Sequence, residues 1–158
     1  MDKEQIYSDI SQQISAVTDG ENNVIARMAT VSCLLSEAFE SFFWTGFYLV
    51  DDKKENELVI GPYQGSLGCL RIPFGRGVCG TAAAIGQTQL VDDVHEYPGH
   101  IACDSRSVSE IVVPVFDPDG TLIAVLDVDS EKRANFDETD QRYLEQIIGN
   151  VFARCTIG

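Results

Sequence analysis

The sequence predicts an α+β fold in which a central antiparallel sheet has the N- and C-terminal helices on one face and a loop-rich ligand pocket on the other. Helical patterns occur near both ends of the chain, whereas strand-like segments follow one another in the middle without alternating with helices. The turn Asp117-Pro-Asp-Gly120 between two apolar segments is typical of a hairpin. We expect all 158 residues, 1–158, to form a single domain.

The first two predicted elements are helices, because apolar residues recur at helical spacing. Between residues 4 and 17 these residues lie three or four positions apart, and Asp19-Gly20 ends the pattern. The pair Asn22-Asn23 is a start signal for a second helix. Its inward-facing residues would be Val24, Met28, Val31, Leu34, Leu35 and Ala38.

The middle of the chain is predicted to contain strands with one short helix among them. Aromatic and β-branched residues concentrate there in short segments that are separated by turn residues. In chain order the prediction gives strands at 42–50, 57–60 and 70–72, a helix at 78–85, a strand at 89–91, a loop at 97–107, and strands at 111–116 and 122–128.

A last helix is predicted to begin after Asp137. Asp137 is a favourable N-cap residue, and Asp140 would lie in the first turn, where a negative charge is stabilised by the helix dipole. The buried stripe of this helix would consist of Leu144, Ile147, Ile148, Val151 and Phe152.

Charge and composition exclude several classes of function. Twenty-five acidic residues face eleven lysines and arginines, giving a net charge of −14, so nucleic acid and anionic membrane surfaces would repel the chain. The first residues lack the cationic start and apolar core of a signal peptide, and no apolar segment approaches the roughly 20 residues that span a bilayer. We therefore expect a cytoplasmic protein, in a compartment that keeps thiols reduced.

Three of the five cysteines, Cys69, Cys79 and Cys103, lie within one segment that also holds both histidines. Zinc ligands usually come in closely spaced cysteine pairs, which this segment lacks, so no metal site is expected. Cys79 and Cys103 follow glycine- or turn-rich residues and should be accessible enough to react as thiolates. Inert packing stays open as an alternative to redox work, in which one thiolate attacks and another resolves the product as a disulfide.

The segment Gly75-Arg-Gly-Val-Cys-Gly80 matches the dinucleotide-binding pattern G-x-G-x-x-G. That pattern needs a βαβ unit within an alternating sheet, and the flanking segments here do not provide one. A tight turn that the packing requires is the favoured interpretation, and no cofactor is expected.

Glu110, Asp127 and Asp129 are candidates for a carboxyl cluster. Because side chains alternate along a strand, Asp127 and Asp129 should share a face with Ile123 and Val125. Glu110 opens the partner strand, and its face depends on whether the hairpin contains a bulge. Two outcomes stay open: three converging acids, of which one would keep a proton near neutral pH, or acids that end a strand in solvent.

Trp44 is the only tryptophan of the chain. A core aromatic is the default interpretation of such a residue. An indole can also form a wall against which an S-methyl group packs, because sulfur–aromatic contacts contribute about 0.3–1.5 kcal/mol.

Taken together, these motifs resemble the free methionine-(R)-sulfoxide reductases, a catalytic branch of the GAF-domain fold. Sensory GAF domains do not carry this trio of cysteines. The resemblance rests on Trp44-Thr-Gly-Phe-Tyr48, Gly61-Pro-Tyr-Gln-Gly65 with Cys69, Gly75-Arg-Gly-Val-Cys-Gly-Thr-Ala82, Tyr97-Pro-Gly-His-Ile-Ala-Cys-Asp104, and Ser109-Glu-Ile-Val-Val-Pro114 with Leu126-Asp-Val-Asp129.

The resemblance implies a role for each candidate residue. Cys103 would attack the sulfoxide sulfur and become a sulfenic acid, Cys69 would resolve it as a disulfide, with Cys79 as the other candidate, and thioredoxin would reduce that disulfide. Trp44 would contact the ε-methyl group of the substrate. The family also suggests a possible homodimer. The acids that would hold the substrate ammonium and protonate the sulfoxide oxygen are Glu110, Asp127 and Asp129.

Two other classes of function compete with the reductase. A non-catalytic GAF module could bind a small ligand or sense oxidants through Cys69 and Cys103, although a sensor needs an output domain or a partner. A thioredoxin-like oxidoreductase is disfavoured because the chain has no C-x-x-C pair.

Overall fold

The computed structural model describes residues 1–100 and 104–153. The described helices and strands lie close to the predicted positions. In chain order they are α1 (Lys3–Thr18), α2 (Val24–Ala38), β1 (Trp44–Val50), β2 (Glu57–Gln64), β3 (Arg71–Pro73), α3 (Gly77–Ile85), β4 (Gln89–Val91), β5 (Ser109–Phe116), β6 (Leu122–Ser130) and α4 (Glu138–Phe152), with a short 3₁₀ helix at Val94–Glu96.

Side-chain caps fix the starts of the helices that the sequence predicts. The side chain of Asn23 accepts a hydrogen bond from the backbone N–H of Ala26 at the start of α2. Asp137 accepts from the backbone N–H groups of Thr139 and Asp140, and the Asp140 side chain accepts from the backbone N–H of Asp137. This reciprocal pair is a capping box, so the predicted N-cap at Asp137 is confirmed.

The described strands form one antiparallel sheet in the order β3-β2-β1-β6-β5-β4. Helices α1, α2 and α4 pack on one face around a core that includes Tyr7, Met28, Phe47 and Leu144. Helix α3 and the long connections cover the other face, where a second cluster includes Trp44. The predicted α+β architecture, with terminal helices on one face and a loop-rich layer on the other, is therefore confirmed.

The hairpin β5–β6 contains one extra residue, and this residue decides which side chains face the loop layer. Phe116 pairs with Leu122 and Val115 with Ala124, so Ile123 has no residue opposite it. Ile123 consequently packs with the helix-side core, and the prediction that it shares a face with the two aspartates is wrong.

Strand β2 continues to Gln64, four residues beyond the predicted end. Gly46 pairs with Tyr63 and Tyr48 with Ile60, so β2 has an extra residue opposite Phe47. The extra segment contains Gly61-Pro62, and a bulge is one of the few places in a sheet that accepts proline.

Within residues 1–100 and 104–153, none of the helices combines enough length with enough apolar character to cross a membrane.

Candidate active site

A pocket lies on the face of the sheet that carries α3. Strands β1, β5 and β6 form its floor, α3 forms one wall, and the rim residues are Leu67, Gly68, His100, Asp104 and Ser107. Trp44, Cys79, Glu110, Asp127 and Asp129, all predicted from the sequence, contribute to its lining.

Glu110, Asp127 and Asp129 converge in this pocket. Glu110 pairs with Asp129 across the hairpin, and Asp127, opposite Val112, is the next residue of β6 on the same face. Glu110 and Asp127 are 6% and 5% exposed, which is unusual for carboxyl groups. Of the two carboxyl oxygens of Asp127, Oδ1 is buried and has no hydrogen-bond partner among the described residues.

Burial opposes the ionisation of all three carboxyl groups. Burial raises the pKa of Asp127, and the charges of Asp129 and Glu110 raise it further. Burial likewise raises the pKa of Asp129, with Glu110 adding to the effect. Burial also raises the pKa of Glu110, although hydrogen bonds to the two aspartates oppose the shift. Carboxyl groups with raised pKa values retain a proton more readily, so the cluster can offer a proton to an oxygen, and a bound cation would favour the ionised form.

Cys79 is the third residue of α3, and its side chain is 4% exposed. Its Sγ is 3.8 Å from Glu110 Oε2. Burial, followed by the charges of Asp127 and Glu110, raises the pKa of this thiol well above its usual range. The prediction that Cys79 is accessible is wrong, because the inward face of α3 buries its side chain.

The turn before α3 requires glycine for packing. Gly75 and Gly77 have positive φ angles of 82° and 66°. A side chain at Gly80 would collide with the backbone carbonyl oxygen of Pro73. These constraints account for the glycine pattern without a nucleotide, as the interpretation of a tight turn requires.

Trp44 forms an aromatic wall of the pocket. Its ring stacks on those of Tyr48 and Tyr63, with centroids 5.7 Å and 4.9 Å away. Its Nε1–H donates a 2.8 Å hydrogen bond to the carbonyl oxygen of Ser66, so the plane of the indole is fixed. A side chain at Gly68 would meet the indole at 2.9 Å, and the glycine lets the chain pass close to the ring.

Cys69 is disulfide-bonded, whereas the thiols of Cys33 and Cys79 are free. The disulfide of Cys69 therefore does not involve Cys79. The predicted nucleophile, Cys103, lies outside the described residues. Cys33 is half-buried on α2, with its Sγ 3.7 Å from Glu37 Oε1.

A hydrogen bond joins Ser66, which precedes Cys69 by three positions, to Asp104, which follows position 103. Ser66 Oγ donates to Asp104 Oδ2 at 2.7 Å, and Arg106 Nη2 donates to the same oxygen at 2.8 Å. Hydrogen bonds from Arg106 and Ser66 hold the pKa of Asp104 well below its usual range. The guanidinium of Arg106 also lies 4.7 Å from the centre of the Phe43 ring.

Several pocket residues were not predicted from the sequence. Tyr48 could have been found, because residues two and four apart on β1 share a face with Trp44. The rim residues come from loops whose approach the local sequence does not encode. The unpredicted lining residues are Phe43, Tyr48, Leu67, Gly68, Ile72, Arg76, Gly77, Val78, His100, Asp104 and Ser107.

Comparison with known proteins agrees with the fold. Residues 31–151 match the GAF domain family. GAF domain-containing protein A of Dictyostelium discoideum is 53% identical over 92% of this chain and 90% of its own length. The free methionine-R-sulfoxide reductase of Escherichia coli is 43% identical over 96% of this chain and 89% of its own length.

A solved structure is similarly close. The free methionine-R-sulfoxide reductase from Neisseria meningitidis, determined in complex with its substrate, is 51% identical to this chain. The two structures superpose with a TM-score of 0.92, over 98% of this chain and 90% of the other.

Proposed function

Because the chain belongs to the GAF domain family, and within it to the free methionine-R-sulfoxide reductases, we propose that it reduces free L-methionine (R)-sulfoxide to methionine. The observation that carries this proposal is the cluster of buried Glu110, buried Asp127 and half-buried Asp129 in the pocket that Trp44 also lines. The carboxyl cluster suits a cation and a proton-accepting oxygen, and the indole suits an apolar substituent on sulfur.

The cluster explains a preference for the free amino acid. Free methionine sulfoxide has an α-ammonium group, which methionine within a polypeptide lacks. An ionised carboxyl group of the cluster, including the unpaired Oδ1 of Asp127, would bind that ammonium. Without the cation, a buried carboxylate stays uncompensated, which costs several kcal/mol, so a peptide-bound substrate is disfavoured.

The proposed chemistry moves the oxygen from the substrate to a cysteine. The Cys103 thiolate attacks the sulfoxide sulfur while a protonated carboxyl group donates to the oxygen, which is a poor leaving group unless protonated. The substrate sulfur gains two electrons and leaves as a thioether. The sulfur of Cys103 loses two electrons and becomes a sulfenic acid.

The second step forms a disulfide and releases water. The Cys69 thiolate attacks the sulfenic sulfur of Cys103, and the hydroxyl leaves as water with one added proton. The disulfide-bonded state of Cys69 supports this cysteine over Cys79 as the resolving residue. The burial and raised pKa of Cys79 disfavour its thiolate. A dithiol reductant, which we propose to be thioredoxin, then reduces the disulfide.

Some features of the proposal concern the protein as a whole. We propose that residues 1–158 act as one catalytic unit in the cytoplasm, where thioredoxin is reduced. We also propose that two copies associate through the outer faces of the terminal helices, where Val17 and Ile25 are 57% and 46% exposed. Sedimentation velocity tests the association, and a monomer at all concentrations would reject it.

A coupled assay tests the activity. The protein is incubated with racemic free methionine sulfoxide, thioredoxin, thioredoxin reductase and NADPH. We expect NADPH oxidation to stop when half of the racemate is consumed, because one sulfur configuration is reduced. A redox-active disulfide without turnover would instead support the oxidant-sensing alternative.

Single-turnover experiments test the cysteine roles. Cys103→Ser should release no methionine, whereas Cys69→Ser should release it once and then cycle poorly. Cys33→Ser is the control, because this thiol lies on the opposite side of the sheet on α2. Methionine release by Cys103→Ser would show that the nucleophile is another residue.

A further inference from the structure

Cys79, Glu110 and Asp127 bring one thiol and two carboxyl groups together at the base of the pocket. One ligand atom from each lies within 4.8 Å of the others, and all three side chains are buried. The sulfur and Glu110 Oε2 are 3.8 Å apart. In a tetrahedral zinc site, Zn–S and Zn–O bonds of about 2.3 and 2.1 Å put a sulfur and an oxygen ligand about 3.6 Å apart, so this pair needs little movement.

Asp127 gives a second indication that a positively charged ligand binds here, and its Oδ1 is the oxygen already proposed to bind the substrate ammonium. Its side chain is more than nine-tenths buried, and Oδ1 has no hydrogen-bond partner among the described residues. A buried carboxyl oxygen in that state is costly unless a ligand compensates it. Carboxylate oxygens and thiolates are normal donors for zinc, and the metal would displace the Cys79 proton to solvent when the Zn–S bond forms.

From this geometry we propose that Cys79, Glu110 and Asp127 form an inhibitory site for Zn²⁺, with the fourth metal position open towards the pocket. The ligand set favours zinc over Mg²⁺ or Ca²⁺, because those ions prefer six or more oxygen ligands and a thiolate is a soft donor. The sequence does not predict the site, because its ligands are 31 and 17 positions apart and meet only through the register of β5 and β6 with α3.

Inhibition follows from competition and rests on the proposed function. The carboxylates that would hold zinc are the ones proposed to bind the substrate ammonium and to donate a proton. A bound metal occupies Glu110 and Asp127, so substrate and zinc exclude each other. Excess zinc should therefore raise the apparent KM and leave kcat unchanged.

Direct metal binding tests the site without any measurement of activity. Full-length protein is purified without thiol reductant, so that the disulfide of Cys69 persists, and is titrated with Co²⁺ as a spectroscopic substitute for zinc. We expect one cobalt per chain, with a sulfur-to-cobalt charge-transfer band that stoichiometric Zn²⁺ removes. If the protein reduces methionine sulfoxide but binds no cobalt, the proposed metal site is rejected and the proposed reductase activity stands. If the protein binds cobalt but does not reduce methionine sulfoxide, the reductase activity is rejected and the metal site stands.

Matched variants locate the metal. Cys79→Ser should abolish the charge-transfer band, whereas Cys33→Ser should keep it, although Cys33 is also a free thiol next to a carboxyl group. Asp127→Asn, which keeps the thiol, should weaken Zn²⁺ binding by more than about 100-fold in chelator competition, beyond the loss typical of outer-shell partners. Circular dichroism confirms that each variant is folded.

The outcomes separate the alternatives. Loss of the band in Cys33→Ser, or its persistence in folded Cys79→Ser, would overturn the proposal, because the metal would then bind at another thiol. Unchanged zinc affinity in Asp127→Asn would also overturn it. Saturating methionine sulfoxide should displace cobalt, and simultaneous binding of both would refute the competition.

Discussion

Asp127 is the residue at which fold stability and function oppose each other most directly. Burial and the charges of Asp129 and Glu110 raise its pKa, so the folded state binds protons that the unfolded state has already released. Between the ordinary carboxyl pKa and the raised value, stability therefore falls as pH rises. Each unit of raised pKa corresponds to about 1.4 kcal/mol lost once the group is ionised in both states.

Asp127→Asn should remove this pH dependence in the absence of substrate. We expect the variant to melt at a similar temperature to the parent near about pH 4 and progressively higher than the parent towards about pH 8, by roughly 3–5 °C for each unit of raised pKa. Part of this gain in melting temperature should come from Glu110 and Asp129, because loss of the Asp127 charge makes these neighbours easier to ionise.

Thermal melts at several pH values measure the difference. Asp52→Asn, in the exposed turn before β2, is the control for the loss of one acidic residue outside the pocket. A melting difference for Asp127→Asn that is the same at every pH would show that the buried charge is not a source of instability.

Ser66 is the second residue whose role the geometry defines. It precedes Cys69 by three positions and donates to Asp104, the residue that follows Cys103. Ser66→Ala should slow disulfide formation by about 3–10-fold in single turnover, because one hydrogen bond to a charged group is lost, and should change methionine release less. Ser32→Ala, a buried serine on α2, is the control, and an equal effect of Ser66→Ala on both steps would contradict a positioning role.

At the scale of elements, alanine substitutions at two helical glycines should change stability in opposite directions. A Cβ at Gly80 on α3 would collide with the carbonyl oxygen of Pro73, whereas a Cβ at Gly149 on α4 would meet nothing within 4 Å. Gly80→Ala should therefore destabilise the protein by more than about 1 kcal/mol, and Gly149→Ala should stabilise it by up to about 1 kcal/mol. Urea unfolding measures both, and stabilisation by Gly80→Ala would show that α3 can move away from β3.

The elements themselves could be predicted because their signals are local. The caps at Asn23 and Asp137 and the hairpin turn at Gly120 depend on a few adjacent residues, and all lie where the sequence predicts them. The convergence of the acids could not be predicted, because it depends on one extra residue at Ile123. A shift of one residue in a hairpin moves every side chain to the opposite face.

Exposure was harder to predict than helix position. The segment before Cys79 has the glycines of a loop, and they do form a tight turn, but the cysteine itself lies within α3 and is buried. Cys33 precedes Leu34 and Leu35, two predicted inward-facing residues of α2, and is itself half-buried. Burial is set by the elements that pack on a helix, which no short segment of sequence specifies.

At the scale of the whole molecule, the first and last helices are joined by a buried polar network. The hydroxyl of Tyr7 donates to Asp140 Oδ1 at 2.6 Å, and Lys3 Nζ lies 2.7 Å from Oδ2. Tyr7 and Asp140 are 0% and 1% exposed. Asp140 also completes the capping box of α4, so a single carboxyl group connects α1 to the start of α4.

Tyr7→Phe should therefore weaken the whole fold and leave the pocket chemistry intact. The substitution keeps the ring but removes a donor to a buried carboxylate, which we expect to lower the free energy of unfolding by about 1–3 kcal/mol. The control is Tyr143→Phe. Tyr143 stacks on Tyr7 at 5.0 Å, but its hydroxyl has no hydrogen-bond partner within the described part of the chain, so its loss should change stability by less than about 0.5 kcal/mol. Urea unfolding at neutral pH measures both, and equal stabilities of the two variants would mean that packing alone, without the Tyr7–Asp140 hydrogen bond, holds the first helix against the last.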